Sequence, residues 1–263
     1  MIRDVSDAAG KQTLLHTVAG KPYFQALLGR DAALWTGNPG APSRLFTLPG
    51  GALALSGRSA QLCCDGTECP DWEELALFLR FAGVERLTMN VKPPATWPLR
   101  RDLYLYTLTP GGHLPVPSLL PGLYIDRSPS MQAISEELFP GEPEQQEHFY
   151  SESCTALNHG YARVLAVRDG AGEMICTVGA YAICNGEAYM AAGETRADLR
   201  GQGIGGHLIV TLANELAAEG YTVTFLCEEK RRHFYDRLGF VHTLTYGQYH
   251  LPAQDINEGI ENE

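Results

Sequence analysis

The stretch best equipped for chemistry is Arg200-Gly201-Gln202-Gly203-Ile204-Gly205-Gly206. Four glycines in the six positions from 201 to 206 leave the backbone free to curl, so several amides can point the same way. An apolar run, Ala188 to Ala192, precedes the stretch, and a helical pattern from His207 to Glu219 follows it. A helix N-terminus carries partial positive charge and unpaired N–H donors. A turn of this kind therefore suits a phosphate or pyrophosphate. Downstream, Thr222-Val223-Thr224-Phe225-Leu226 reads as a buried strand. A short helix then ends in His233-Phe234-Tyr235-Asp236-Arg237-Leu238-Gly239-Phe240, with Gly239 as its C-cap.

Two phosphate readings compete. Gly201, Gly203 and Gly206 satisfy G-x-G-x-x-G, and Glu228 lies near the distance at which a dinucleotide site wants a ribose-binding acid. That fingerprint needs a strand running almost directly into its first glycine, whereas the charged segment Glu194 to Arg200 intervenes. Arg200, Gly203 and Gly205 instead meet Arg/Gln-x-x-Gly-x-Gly/Ala. Followed by helix, strand and FYDRLGF in this order, the segment resembles the GCN5-related N-acetyltransferases, the GNAT superfamily.

The resemblance covers roughly residues 122 to 251. It implies an α+β GNAT fold, a mixed and mostly antiparallel sheet flanked by helices, and transfer of an acetyl or other acyl group from acetyl-CoA to an amine. By that resemblance, amides from Arg200 through Gly205, with Gly201, Gln202, Gly203 and Ile204 between them, hold the pyrophosphate. Gly193, Glu194 and Thr195 meet the pantetheine through their main chain. Tyr235 matches the family tyrosine that stands near the sulfur as general acid; a phenol with pKa near ~10 can supply a proton yet stay protonated at neutral pH. Glu194, where strand meets loop, is the candidate base or amine anchor, with Glu187 and a water chain as rivals. The basic residues Arg196, Arg200, Lys230, Arg231 and Arg232 stand out locally, as cofactor contacts or as a solvated helix face. Where many family members carry asparagine, seven residues before the tyrosine, this chain has Glu228. A carboxylate there keeps a second function open, a CoA-binding or sensing protein without turnover; a dinucleotide-dependent oxidoreductase is the third.

Composition narrows the partners. The chain has 263 residues and a formal charge of −11, which argues against nucleic acid as a general partner and is compatible with a small cationic amine. No apolar run approaches the ~20 residues of a membrane span, and the N-terminus lacks the apolar core of a signal peptide. The seven cysteines include no C-x-x-C pair, and the eight histidines show no metal spacing, so no metal is expected and the chain reads as cytoplasmic and reduced. The sequence leaves oligomerisation open.

The elements that must position the site follow from patterning. Helices are expected at Lys11–Val18 and Pro22–Trp35 and strands at Ser43–Leu48, Ala52–Ser56 and Ala60–Cys64, with Cys63 and Cys64 facing opposite sides. Asp71 and Glu74 form a capping box for a helix ending near Phe81, and Arg86–Val91 gives another strand. This order echoes that of the second half and predicts a degenerate GNAT-like unit over residues 1–115, a pseudo-tandem arrangement. Its own helix start, with Glu68, Asp71, Glu73 and Glu74, would repel a pyrophosphate. Seven of the sixteen prolines lie between Pro93 and Pro121, making a semi-rigid connector around the strand-like Leu103–Thr109. The second domain, 122–251, opens with strand Leu123–Ile125. A helix capped at Ser128-Pro129 and another from Pro143 to about Leu157 follow, then strands at Arg163–Val167, Met174–Ile183 and Ala188–Gly193. Tyr246–Leu251 closes the sheet at its edge. Residues 252–263 read as a disordered acidic tail.

Overall fold

The computed structural model describes residues 1–38 and 40–252; of the acidic tail expected over 252–263, residues 253–263 lie outside the described residues. The first half is built from β1 (Arg3–Asp4), α1 (Ala8–Val18), α2 (Pro22–Trp35), β2 (Ser43–Leu48), β3 (Gly51–Ser56), β4 (Ser59–Cys64), α3 (Trp72–Phe81), β5 (Arg86–Met89) and β6 (Leu99–Leu108). Apolar side chains at alternate positions bury both faces. Cys63 packs under α1 and α2, while Cys64 joins the core under α3, the opposite-face arrangement that period-two geometry requires. Asp71 caps α3, accepting from the amides of Glu73 and Glu74. The expected box is only half formed. Glu74 does not reach back to Asp71; its carboxylate takes the Ile2 amide and pairs with the chain's terminal ammonium at 3.2 Å.

The second half repeats the order with β7 (Tyr124–Asp126), α4 (Met131–Leu138), α5 (Pro143–Asn158), β8 (Arg163–Arg168), β9 (Met174–Cys184), β10 (Glu187–Thr195), α6 (Ile204–Ala218), β11 (Thr222–Cys227), α7 (Arg232–Leu238) and β12 (Val241–His250). Asn185 and Gly186 both have positive φ, 53° and 78°, as a two-residue hairpin between twisted strands demands. The cap of α4 is Ser130, not Ser128; the Ser130 hydroxyl accepts from Ala133, while the Ser128 amide is taken by Asp126. Ile204, Leu208, Leu212 and Leu216 form the buried stripe of α6, packed on the face made by β8 to β11.

Among the described residues twelve strands join one sheet, ordered β1-β2-β3-β4-β5-β12-β6-β11-β10-β9-β8-β7. Two of its pairings, β4 with β5 and β10 with β11, are parallel; the rest are antiparallel. The final strand is therefore not at an edge, contrary to the sequence expectation. β12 lies at the centre between β5 and β6, and β6 in turn pairs with β11. Each half supplies one closing strand, and that strand pairs with the other half's ladder.

Helix α2 adds a second tie. It belongs to the first half but packs on β9 and β10 of the second. The approach is close enough at Gly29 that a Cβ there would stand 2.9 Å from the Asn185 side chain. Buried Arg30 donates to the Tyr181 carbonyl and pairs with Asp31 and with Glu152 of α5. The proline-rich connector is held as well: Asn214 of α6 exchanges two hydrogen bonds with the Leu114 backbone, at 2.9 and 2.8 Å.

Candidate active site

β10 and β11 pair in parallel only over Glu187–Tyr189 and Thr222–Thr224. Beyond Tyr189 the strands part. β10 is bulged between Tyr189 and Met190 and again between Ala191 and Glu194, and Ala192 takes φ of 53°, a left-handed conformation costing an L-residue about 1–2 kcal/mol. β11 meanwhile stays straight against β6. The result is a V-shaped gap in mid-sheet, a place where main-chain groups face space instead of a neighbouring strand.

The glycine turn stands at one end of this gap. Gly201 and Gly203 have φ of 80° and 83°, Gly203 is the N-cap of α6, and no side chain caps the helix. No acidic residue occupies its first turn. A Cβ on Gly205 would sit 3.0 Å from the Thr195 hydroxyl, so that wall is trimmed to backbone. Ile204 turns its side chain into the core and can offer only its amide; Gln202 is exposed at the crest. Arg200 is folded back, its Nε donating to the Thr195 carbonyl at 2.9 Å and its Nη2 meeting Glu194.

Three connected chambers follow. The outer one, about 370 Å³, is floored by Gly201, Gly203, Gly205 and Arg200. The middle one, about 310 Å³, shares Thr195, Arg200, Gly205 and Phe234 with it and adds Gly193, Glu194 and Tyr235. The inner one, about 450 Å³, shares Gly193, Ile209, Arg231 and Tyr235 with the middle one and continues between Met190–Gly193 and Phe225–Cys227 toward the first half. Tyr235 thus stands at the junction. Its ring packs 4.2 Å from that of Phe225, and burial pushes its phenol above the ordinary value, partly offset by Arg231.

The family model that matches the sequence is an acetyltransferase (GNAT) domain, over residues 160–242. The C-terminal half is a GNAT domain. Solved structures agree on the fold. A GCN5-related N-acetyltransferase from Sphaerobacter thermophilus superposes with a TM-score of 0.63 at 14% identity, over 96% of each chain. One from Kribbella flavida gives 0.59 at 15%, over 91% of this chain and 96% of that one. A tandem GNAT protein from the clavulanic acid biosynthesis pathway gives 0.62 at 14%, over 97% and 99%. No curated relative matches the sequence.

Within the GNAT domain, Tyr235, Glu194, Gly193, Thr195, Arg200 and the glycines come together along one channel. Glu187 does not: it lies at the foot of the β10/β11 ladder, where burial pushes its carboxyl up to about 7 despite a hydrogen bond from Thr222. Glu228 lines the inner chamber and not the glycine turn, so the ribose acid of a dinucleotide site is missing from its place. Lys230, at 2.9 Å, and Arg101 hold the Glu228 carboxyl below its usual range. Of the other basic residues, Arg196 is tied to Asp198, and Arg232 to Glu229 and the Tyr104 ring face. Sequence reasoning missed Arg101, Gln61, Thr88 and Gln248, which line the inner chamber from β6, β4, β5 and β12. The one available signal was Glu228 itself, a carboxylate that calls for a cation opposite.

Among the described residues no group of His, Cys, Asp and Glu could hold a metal ion, and no helix is long and apolar enough to cross a membrane.

Proposed function

We propose that the protein is an acyl-CoA-dependent N-acyltransferase, moving an acetyl group from acetyl-CoA to the amine of a small molecule. The observation that carries this reading is the uncapped, glycine-built start of α6 at the mouth of the β10/β11 gap, with a protonated phenol at the gap's centre. The donor fits the channel: open amides at the turn suit its pyrophosphate, and the widening strands suit the hydrogen-bonding of its pantetheine arm.

The acyl donor supplies a thioester: the amine lone pair attacks its carbonyl carbon, the C–N bond forms and the C–S bond breaks. The nitrogen gives up one proton to water. Tyr235 hands one to the departing sulfur and regains it from solvent. Arg200 donates both to the Glu194 carboxylate and to the Thr195 carbonyl, which sets the loop's shape. We assign Glu194 as a positioning residue of the middle chamber. Glu194→Gln should then raise KM for acetyl-CoA and leave the pH dependence of kcat unmoved; a shifted pH profile would make it the base instead. The first half completes the acceptor chamber, and we retain 1–115 and 122–251 as the units along the chain. Seven free cysteines support a reducing, cytoplasmic setting.

The test is thermal stabilisation by CoA, acetyl-CoA and NAD, followed by thiol release from acetyl-CoA against an amine panel. Stabilisation by CoA with no turnover on any amine would reduce the protein to a CoA-binding module, and stabilisation by NAD alone would overturn both readings.

A further inference from the structure

The inner chamber joins residues of both halves, and its hydrogen-bond accounts are uneven. Tyr23 of α2 donates its hydroxyl to Gln61 Oε1 at 2.8 Å. Gln248 Oε1 accepts from Arg101 Nε at 3.0 Å, and Gln248 Nε2 donates to Thr88 Oγ1 at 3.3 Å. Glu228 accepts from Arg101 Nη1 through one oxygen and meets Lys230 Nζ through the other. Each carboxylate or side-chain amide oxygen of this group therefore already has a donor. The unspent groups are donors: Gln61 Nε2 and Arg101 Nη2 meet no acceptor oxygen among the described residues, while the Arg231 guanidinium donates to the Tyr235 hydroxyl.

Charge points the same way. Three cations, Arg101, Lys230 and Arg231, face one carboxylate, Glu228, so the wall is positive inside a chain of net charge −11. A polyamine would meet repulsion and a carboxylate already paired twice. An acceptor with an anionic group would satisfy the idle donors. At about 450 Å³ the chamber is of small-molecule size.

We propose that the acceptor is an amine that also carries a carboxylate, an amino-acid-like molecule. Its carboxylate seats on Arg101 and the Gln61 amide, and its nitrogen points back toward Tyr235. This inference rests on the acyltransferase reading and reverses the preference for cationic amines that the overall charge suggested. Arg101 becomes the specificity residue, and it comes from the strand that the first half lends to the second.

The experiment uses the full chain and matched amines: amino acids, their primary amides, their decarboxylated amines, and spermidine. The expected result is kcat/KM about tenfold to a hundredfold higher for the carboxylated member of each set, the range of a hydrogen-bonded charge. Arg101→Gln should raise KM for the carboxylated amines by about the same factor and erase the preference, while stabilisation by CoA persists. Gln61→Glu, which sets a carboxylate against the acceptor's own, should reverse it. Equal use of amides and acids, or a uniform loss across all amines in Arg101→Gln, overturns the proposal. Calorimetric titration of the same amines into CoA-loaded protein separates the two readings. If turnover is absent yet carboxylated amines bind selectively and lose that binding in Arg101→Gln, the catalytic reading falls and the carboxylated amine stands as the ligand class of the inner chamber. If neither acids nor amides bind, the acceptor proposal falls by itself.

Discussion

The two halves carry the same gap and treat it in opposite ways. In the first, β4 and β5 pair in parallel up to Leu62 and Met89, as β10 and β11 do up to Tyr189 and Thr224. Past that point Asn90 bridges the opening: its side chain accepts from the Cys64 amide and donates to the Cys64 carbonyl, each at 2.8 Å. The helix that follows β4 begins with the Asp71 carboxylate on its amides and with Glu73 and Glu74 in its first turn. The helix that follows β10 begins with bare glycine and no acid. No helix separates β5 from β6, so Tyr235 of α7 has no counterpart. One gap is filled by the protein's own side chains, and the other is open. Capping and binding are the same interaction with different partners: orphan amides take either a resident carboxylate or a visiting phosphate.

The sharpest way to break the contrast is to give the second half the first half's acid. Gly203→Asp places a carboxylate at the start of α6 and should weaken CoA binding by about 3–4 kcal/mol, through lost charge-assisted hydrogen bonds and like-charge repulsion; calorimetry reads it. Removing the group without a counterpart comes next. Tyr235→Phe should lower kcat about 100-fold, the low end for general acid catalysis, with the affinity for CoA unchanged. On the silent side, Asn90→Ala strands the Cys64 amide and carbonyl and should cost about 2 kcal/mol of stability in denaturant unfolding, with no effect on turnover. Asp71→Ala should cost about 1 kcal/mol by the same measurement, and again nothing in activity.

The smallest effect concerns the foot of the open ladder. Burial raises the Glu187 carboxyl to about 7 from an ordinary 4.5. The folded state therefore holds more protons than the unfolded one between these values, so this group's contribution is fully present below pH 4.5 and is lost as pH rises through 7. Glu187→Gln should remove that dependence. Unfolding at pH 8 should show a gain of order 1 kcal/mol, discounted because the group is half exposed, and unfolding at pH 4 should show little.

How much of this was legible depends on the range of the interactions involved. The glycine turn, FYDRLGF, the Asp71 cap and the Asn185-Gly186 hairpin are each written within a few residues. Turns, caps and helix stripes are decided by local sterics and by partners one turn away. The candidate residues on the glycine loop and on α7 could be proposed for that reason, and the acidic start of α3 could be read from Asp71, Glu73 and Glu74. Even here a one-residue choice could miss. Ser130, not Ser128, caps α4, and Glu74 is drawn off by the chain's terminal ammonium.

The sequence by itself determined that a bare glycine turn opens one helix and a carboxylate caps the start of another. The tertiary structure alone decided that β6 and β12 change places, and with them the identity of the inner chamber. Arg101 reaches Glu228 across 127 residues of chain, and Gln248 reaches Arg101 across 147. An alternating strand pattern specifies which side chains share a face but not which neighbour takes the edge. That choice follows from the packing of α2 on the far sheet and the tethering of the connector to α6, contacts with no signature in either segment alone.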